Sequence, residues 1–145
     1  MRAVLQRVTH GKVTIEGRVA AEIGPGLVIL AGIGPDDSPE KAQSMAKKIA
    51  ALRIFQDAQG KMNLSILDVH GSAIVVSQFT LYADTRRGNR PSFIEAAPPV
   101  LASPLVDTFI QCLSAQGIPT QSGEFGAHML VDIANDGPVT ILLDN

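Results

Sequence analysis

Apolar and polar positions along the first part of the chain follow patterns that predict short β-strands. Strands are expected over 3–8 and 12–15, with Gly11 between them as a hairpin-like opening, and a third over 18–23. Residues 27–33 are apolar with one glycine at 32, which is typical of a fully buried strand. The chain therefore opens with β structure before any helix.

Helical spacing occurs twice. Ser38 followed by a proline is a helix start, and apolar residues then recur at i, i+3, i+4 and i+7, so an amphipathic helix is expected over 39–51. A second helix is expected over 99–116, best formed from Pro104. Gly117 then takes the left-handed position that commonly follows a helix.

The remaining pattern places further strands around a polar loop at 84–99. These strands are expected over 52–57, 73–82, 127–134 and 138–144, the last two joined by residues 135–137. Strands dominate, and the two main helices fall between strand groups. The pattern therefore predicts an α/β or α+β class with mixed or antiparallel sheets, in a single compact domain over residues 1–145.

Composition narrows the functional classes. Aromatic residues make up 4% of the 145 residues, which is poor material for a base-stacking surface. The net charge of −2 argues against a protein that holds nucleic acid by bulk charge. All 12 Lys and Arg residues lie within residues 1–90, and 91–145 carry none. Charged contacts to phosphate must therefore come from the first 90 residues.

Cysteine content and hydropathy exclude other classes. Cys112 is the single cysteine and lies among apolar residues, so we expect a small buried side chain and no intrachain disulfide. The opening residues lack the apolar stretch of a signal peptide, and the longest apolar run, 27–31, is far below the roughly 20 residues of a membrane helix. We expect a cytoplasmic protein with no membrane partner.

Recognisable catalytic motifs are scarce. The three histidines, His10, His70 and His128, lie far apart without the helical spacing of a metal pair, and a surface or hydrogen-bonded role is favoured for each. Nucleophile-elbow, Walker, dinucleotide-binding and CxxC patterns do not occur. We therefore expect no metal and no cofactor.

Two polar segments are not explained by folding alone. In SQFTL (77–81), a strand would place Gln78, Thr80 and Tyr82 on one face, at a strand end that opens on a pocket. The alternative is a half-buried strand with a solvent face. NDGPVT (135–140) is either a tight turn or part of a site.

The densest basic stretch lies between these segments, over 84–93. Arg86, Arg87 and Arg90 lie close to a glycine and are candidates for contacts to phosphate. The alternative is an ordinary solvated loop.

Three segments together resemble the D-aminoacyl-tRNA deacylase (D-tyrosyl-tRNA(Tyr) deacylase) family. They are SQFTLYADTRRGNRPSF at 77–93, GEFGAHMLVDIANDGPVTILLD at 123–144 and RAVLQRV at 2–8, and the likeness covers essentially the whole chain. Gly11 and Lys12 depart from the family pattern, away from the proposed site. The resemblance implies a barrel-like α/β domain of the D-aminoacyl-tRNA deacylase fold.

The resemblance also implies an activity and a partner. The activity is hydrolysis of the ester between a D-amino acid and the 3′-terminal adenosine of tRNA, with glycyl-tRNA also accepted and L-aminoacyl-tRNA rejected. The partner is a second copy of the chain. In the family a cis Gly-Pro, here Gly137-Pro138, reaches the partner's pocket, here residues 77–80, where its carbonyl groups read the substrate amino group.

The same resemblance implies roles for individual residues. The backbone N–H groups of Phe79 and Thr80 would stabilise an oxyanion. The Thr80 hydroxyl is assigned to positioning, because the sequence shows no nearby base to activate it. Phe125 and Met129 would line the adenosine site. The substrate-binding set is Ser77, Gln78, Phe125, Met129, Gly137 and Pro138, supported by Arg7, Val139 and Thr140.

Two other functional classes stay open. One is an RNA-binding module without catalysis. The other is a metabolite-binding or structural oligomer whose polar segments are only strand ends. Release of a D-amino acid from charged tRNA, with the L form spared, separates an enzyme from both.

Overall fold

Eight strands and two helices follow one another along residues 1–145, all of which the computed structural model describes. The order is β1 (Arg2–Ile15), β2 (Arg18–Ile23), β3 (Gly26–Gly32), α1 (Pro39–Ala51), β4 (Phe55–Gln56), β5 (Met62–Leu64), β6 (Ser72–Ser77), α2 (Pro99–Ala115), β7 (Thr120–Ser122) and β8 (Leu130–Asp144). A short 3₁₀ helix, Phe79–Tyr82, follows β6.

β1 is central to a six-stranded mixed sheet. Its two halves pair antiparallel with β3 and β2, and β8 pairs antiparallel along its other edge. β6 and β7 extend the sheet from β3 in parallel, while β4 and β5 form a separate pair. The sheet is nearly closed and barrel-like, so the predicted α/β class with two main helices is confirmed.

Apolar clusters cover both faces of β3. The larger cluster has 24 residues and joins Ile29 of β3 to Ile49 of α1 and Phe109 of α2. The smaller cluster has eight residues, includes Val28 and packs against Met129. Successive side chains of a strand point to opposite faces, so the apolar run predicted as a buried strand is confirmed. No helix combines the length and apolar character needed to span a membrane.

The first helix and its start are also as predicted. α1 covers Pro39–Ala51, and the Ser38 hydroxyl oxygen accepts a hydrogen bond of 3.4 Å from the Lys41 N–H. β2 has the expected bounds. Gly117 follows α2 with a φ of +91°, in the left-handed region.

The expected hairpin at Gly11 is wrong, because β1 runs through this residue without a turn. A Cβ at position 11 would lie 2.6 Å from Cγ2 of Val28. Gly11 therefore allows a close approach between the backbone of β1 and a side chain of β3, instead of ending a strand.

Several other predicted bounds differ from the structure. Only Phe55–Gln56 of the expected strand 52–57 pairs in a sheet, and β7 was not expected. α2 begins at Pro99 as predicted and ends at Ala115, but it is regular from its start and not only from Pro104. Pro104 is the sixth residue of the helix, past the first turn, so its missing N–H leaves the carbonyl of the exposed Val100 without an intrahelical partner.

The expected pair of final strands is a single strand with a bulge. β8 pairs with β1 on both sides of the interruption, with Thr140 opposite Gln6 and Asn135 opposite Val8. Four residues, 136–139, therefore oppose Arg7 alone. Such an insertion bends a strand and projects its backbone away from the sheet. We call residues 136–139 the β8 bulge.

Candidate functional site

A cleft of about 630 Å³ opens where β6 ends. Ser77, Gln78 and Phe79 form one part of its lining. The loop over 125–129 that precedes β8 forms another part, which we call the 125–129 wall. The start of α2 and the loop before it, over 96–99, also line the cleft. The structure therefore brings Ser77, Gln78 and Phe79 of SQFTL to one cleft with Phe125 and Met129, whereas Thr80 and Leu81 do not line it.

The end of β6 differs from the expected strand over 73–82. β6 pairs with β3 as far as Ser77, and the Gln78 N–H donates to the Ala31 carbonyl over 2.8 Å. The chain then turns into the 3₁₀ helix, so Thr80 is exposed while Tyr82 is buried. The expectation that Gln78, Thr80 and Tyr82 share one face of a strand is wrong.

This turn frees two consecutive backbone donors. The first N–H groups of a helix have no acceptor within it. Here the Leu81 N–H is bonded to the Gln78 carbonyl over 3.2 Å, whereas the N–H groups of Phe79 and Thr80 precede that first bond. In a continuous strand, successive N–H groups point to opposite edges. The 3₁₀ helix instead leaves both groups outside its own hydrogen bonds. Phe79 lines the cleft, whereas Thr80 follows it in the chain and is not a lining residue.

The Thr80 hydroxyl accepts a hydrogen bond from the side-chain amide of Gln78. An amide N–H is a donor and cannot remove a proton from a hydroxyl. No carboxylate or imidazole forms a hydrogen bond with this hydroxyl. The surroundings of Thr80 are therefore those of a positioned hydroxyl and not those of an activated nucleophile.

Phe93 is a cleft residue that sequence reasoning missed. Its ring meets Phe79 edge to face, with centroids 5.0 Å apart. The intervening loop is closed by two backbone hydrogen bonds between Asp84 and Ser92, of 2.8 and 2.9 Å. The only sequence signal was its place at the end of the basic stretch. His128, expected as a surface or hydrogen-bonded residue, also lines the cleft and is exposed.

The three arginines of this loop are not equivalent. The Arg86 guanidinium donates two hydrogen bonds to the Asp84 carboxylate, from Nε to Oδ1 over 2.9 Å and from Nη2 to Oδ2 over 2.8 Å. The Arg86 hydrogen bonds lower the pKa of Asp84 to about 2, and Asp84 raises the pKa of Arg86. Arg87 and Arg90 are exposed and form no ion pair within the chain.

The 125–129 wall makes two contacts near its first residue. Glu124, just before it, forms an ion pair with Arg18 of β2. Gly123 allows the wall to pack closely, because a Cβ there would lie 2.2 Å from Sδ of Met129. No group of three or more His, Cys, Asp or Glu side chains is placed to hold a metal ion.

Gly137 and Pro138 lie on the β8 bulge, are exposed, and do not line the cleft of their own chain. The peptide bond between them is cis. Val139 is buried behind them, and the Thr140 hydroxyl donates to Oε1 of Gln6 over 2.5 Å. The bulge thus presents Gly137 and Pro138 outward from a fixed base.

Arg7 lies beneath the β8 bulge, almost fully buried. Its Nη1 donates to the Ile54 carbonyl over 2.6 Å. Its Nε lies 2.9 Å from Oδ2 of Asp136. That N–H does not point at the oxygen, so the contact is an ion pair and not a hydrogen bond. The contact links Arg7 to the bulge that it was predicted to brace.

A family model for D-Tyr-tRNA(Tyr) deacylase matches residues 4–144. The chain belongs to the D-Tyr-tRNA(Tyr) deacylase family. It is 58% identical to the D-aminoacyl-tRNA deacylase of Deinococcus deserti, over 99% of each chain. It is also 58% identical to that of Thermomicrobium roseum, over 100% of this chain and 94% of the relative. The resemblance seen in the sequence is confirmed.

Two solved structures share the fold of this chain. The c-Myc DNA unwinding element binding protein superposes with a TM-score of 0.93 and 39% identity, over 100% of this chain and 99% of its own. A probable eukaryotic D-amino acid tRNA deacylase superposes with a TM-score of 0.87 over 99% of this chain and 98% of its own. At 16% identity, the second likeness is one of fold.

Proposed function

We propose that this chain hydrolyses D-aminoacyl-tRNA as a chiral proofreading step. The observation that carries the proposal is the cleft at the end of β6, which Phe79 lines together with Phe125 and Met129. The N–H groups of Phe79 and of Thr80, the next residue, both precede the first hydrogen bond of the 3₁₀ helix. Full-length relatives at 58% identity are named D-aminoacyl-tRNA deacylase. A tRNA substrate implies that the chain works in the cytoplasm.

The reaction adds water to the ester carbonyl. The bond from the carbonyl carbon to the ribose 3′ oxygen breaks, the amino acid leaves as a carboxylic acid, and the tRNA regains its 3′ hydroxyl. Negative charge develops on the carbonyl oxygen in the transition state. The N–H groups of Phe79 and Thr80 are suited to stabilise that charge, as backbone donors do in an oxyanion hole.

The remaining site residues bind and orient the substrate. Ser77 and Gln78 line the cleft beside the two donors, where Gln78 can hydrogen-bond the aminoacyl group. Phe125 and Met129 offer an apolar wall for the terminal adenosine. An aminoacyl ester is activated, so donors and orientation without a side-chain acid or base can supply the needed rate.

Chiral selection is assigned to a second copy of the chain. Gly137 and Pro138 are exposed and absent from their own cleft, which suits a segment that completes the partner's cleft. A rigid backbone against the substrate Cα leaves no room for an L side chain, so rejection is steric. Glycine has no side chain to reject, and glycyl-tRNA is expected to be a substrate as well.

The surface beside the β8 bulge favours a homodimer. Leu142 of β8 is 75% exposed, and it borders a groove of about 290 Å³ that Val4 and Leu81 also line. A second copy would remove this apolar surface from water. The same contact would carry Gly137 and Pro138 toward the partner.

Phosphate contacts are assigned to Arg87 and Arg90 ahead of Arg86. All three lie on the loop between Phe79 and Phe93, which both line the cleft. The two-point pair with Asp84 already occupies the Arg86 guanidinium, whereas Arg87 and Arg90 have no partner in the chain. An arginine that must first leave a carboxylate gains less from phosphate.

The decisive test of the activity is release of amino acid from charged tRNA. Purified protein should release D-Tyr from D-Tyr-tRNA and spare L-Tyr-tRNA under identical conditions. Survival of both esters at stoichiometric protein would overturn the enzyme proposal in favour of an RNA-binding module or a metabolite-binding oligomer. Binding of uncharged tRNA alone, without release, would favour the RNA-binding module.

Two substitutions on β8, one of them a control, test the proposed homodimer. Leu142→Asp should give monomers in sedimentation equilibrium and should lose most D-Tyr release. Leu130→Asp alters another exposed leucine of β8, 62% exposed, at the other end of the strand, and should leave both properties unchanged. A wild-type monomer with full activity would contradict the cross-subunit site.

A further inference from the structure

The Asn135 side chain, just before the β8 bulge, hydrogen-bonds to both β1 and β8. Its Nδ2 donates to the backbone carbonyl of Arg7 on β1 over 2.9 Å and to that of Val139 over 3.0 Å. An amide nitrogen carries two N–H groups. One carboxamide can therefore serve a carbonyl on each strand.

The ladder between β1 and β8 cannot supply these bonds. The register passes from the Val8–Asn135 pair to the Gln6–Thr140 pair, so the four bulge residues oppose Arg7 alone. Backbone carbonyls left out of a ladder need other donors. The Asn135 side chain is the donor to two such carbonyls: that of Arg7, opposite the bulge on β1, and that of Val139, where the bulge rejoins the ladder.

The other supports of the bulge act on different atoms. The Arg7 guanidinium reaches the Asp136 carboxylate, and one of its nitrogens would lie 3.0 Å from a Cβ at Gly137. Thr140 follows the bulge, and its hydroxyl donates to Oε1 of Gln6. Asn135 is thus the side chain that links the Val139 backbone to β1, directly behind Gly137 and Pro138.

We propose that Asn135 is a positioning residue whose carboxamide fixes the β8 bulge and thereby sets the selection of D- over L-aminoacyl esters. This role rests on the proposed deacylase function, in which Gly137 and Pro138 meet the substrate of the partner subunit. Steric selection depends on placement to within about an ångström. Loosening the bulge should therefore admit L esters as well as slow the D reaction.

The activity test uses two substitutions and one control. Asn135→Ala removes both bonds, and Asn135→Asp keeps the shape but turns a second acceptor oxygen toward the two carbonyls. Asn63→Ala is the control, because Asn63 is exposed and its Nδ2 donates to Asp57 over 3.2 Å, away from the bulge. The ratio of kcat/KM for D-Tyr-tRNA to that for L-Tyr-tRNA should fall at least tenfold in both Asn135 variants, mainly through kcat, and less than twofold in the control.

A second measurement does not depend on activity. NMR order parameters of the Gly137 and Val139 amides should fall in Asn135→Ala and not in Asn63→Ala. Unchanged order parameters would overturn the holding role. Lower order parameters with an unchanged D-to-L ratio would reduce Asn135 to a structural residue. If the wild-type protein releases neither amino acid, the proposed function fails, and the order parameters alone decide whether Asn135 holds the bulge.

Discussion

Gln78 donates its side-chain amide N–H to the hydroxyl oxygen of Thr80, two residues further along the chain. The bond holds the Thr80 side chain at the start of the 3₁₀ helix, where the Thr80 N–H is still free. The hydroxyl and the backbone N–H of one residue therefore have separable roles. Substitutions at position 80 can test each of them.

Thr80→Ala should keep substantial activity, whereas Thr80→Pro should lose it. Alanine removes the hydroxyl and keeps the N–H, and kcat should fall less than about tenfold, because a true nucleophile would cost about 10⁴ or more. Proline removes the N–H, and the loss of one oxyanion donor costs about 10²–10³ in kcat. Single-turnover release of D-Tyr from D-Tyr-tRNA measures both.

This pair of variants needs a control for misfolding of the turn. Proline is compatible with helical φ near a helix start, but it restricts the preceding residue, Phe79. Equal melting temperatures for the two variants would exclude a general loss of structure. Complete inactivity of Thr80→Ala would instead favour the hydroxyl as nucleophile.

The turn that frees these donors could not be predicted from local pattern. Thr80, Leu81 and Tyr82 have β propensity and continue the apolar strand before them. Tertiary contacts override that propensity: Tyr82 is buried, and the Arg2 guanidinium lies 4.4 Å from its ring centroid. The family resemblance placed a candidate site at SQFTL, whereas the geometry of its backbone donors could not be predicted from the sequence.

The β8 bulge shows the same limit. The NDGPVT segment looks like a turn because Asn, Asp, Gly and Pro are turn formers. Pairing with β1 continues on both sides of the segment, and pairing between distant strands has no local signature. The α1 helix, by contrast, was predictable to the residue, because its cap and its apolar stripe are both local.

Arg86→Ala should raise the pKa of Asp84 from about 2 toward the usual value of about 3.9. The folded pKa is lowered, so the pair supports loop closure above the unfolded pKa and loses that support as pH falls from about 4 toward 2. Closure in the wild-type protein should therefore not change between pH 5 and 8. Carboxyl ¹³C NMR of Asp84 measures the titration, and the Ser92 amide reports the closure.

A wild-type titration near the usual value would contradict the two-point pair. A change in the chemical shift of the Ser92 amide between pH 5 and 8, seen in the wild-type protein alone, would also contradict it. The Asp57 carboxylate is an internal reference in the same spectra, since its lowered pKa comes mainly from the Lys61 N–H and should not respond to Arg86→Ala.

Arg87→Ala with Arg90→Ala should raise KM for D-Tyr-tRNA and leave hydrolysis of 3′-O-D-tyrosyl-adenosine unchanged. Each lost phosphate contact lowers the slope of log affinity against log salt by about 0.7–0.9. Two contacts should lower it by about 1.4–1.8. Steady-state kinetics at several salt concentrations measures the slope.

The charge control for this experiment is Arg53→Ala. Arg53 is exposed, lies outside the loop and donates to the Asn63 carbonyl over 2.8 Å. It should leave the KM for tRNA and the salt slope unchanged. An equal slope change in Arg53→Ala would mean that net charge, and not the loop, sets the affinity for tRNA.

Arg7→Met should destabilise the fold. Loss of the hydrogen bond to the Ile54 carbonyl should cost more than loss of the ion pair with Asp136. The carbonyl accepts from the Arg7 guanidinium over 2.6 Å in a buried place, and an unsatisfied buried acceptor costs about 1–3 kcal/mol. Asp136 is 45% exposed, so water replaces its partner at little cost. Urea denaturation should therefore give a free energy of unfolding lower by about 1–3 kcal/mol, with an unchanged m value. Arg53→Met, on the surface, should change it by less than about 0.5 kcal/mol, and equal losses in the two variants would contradict a specific role for the buried guanidinium.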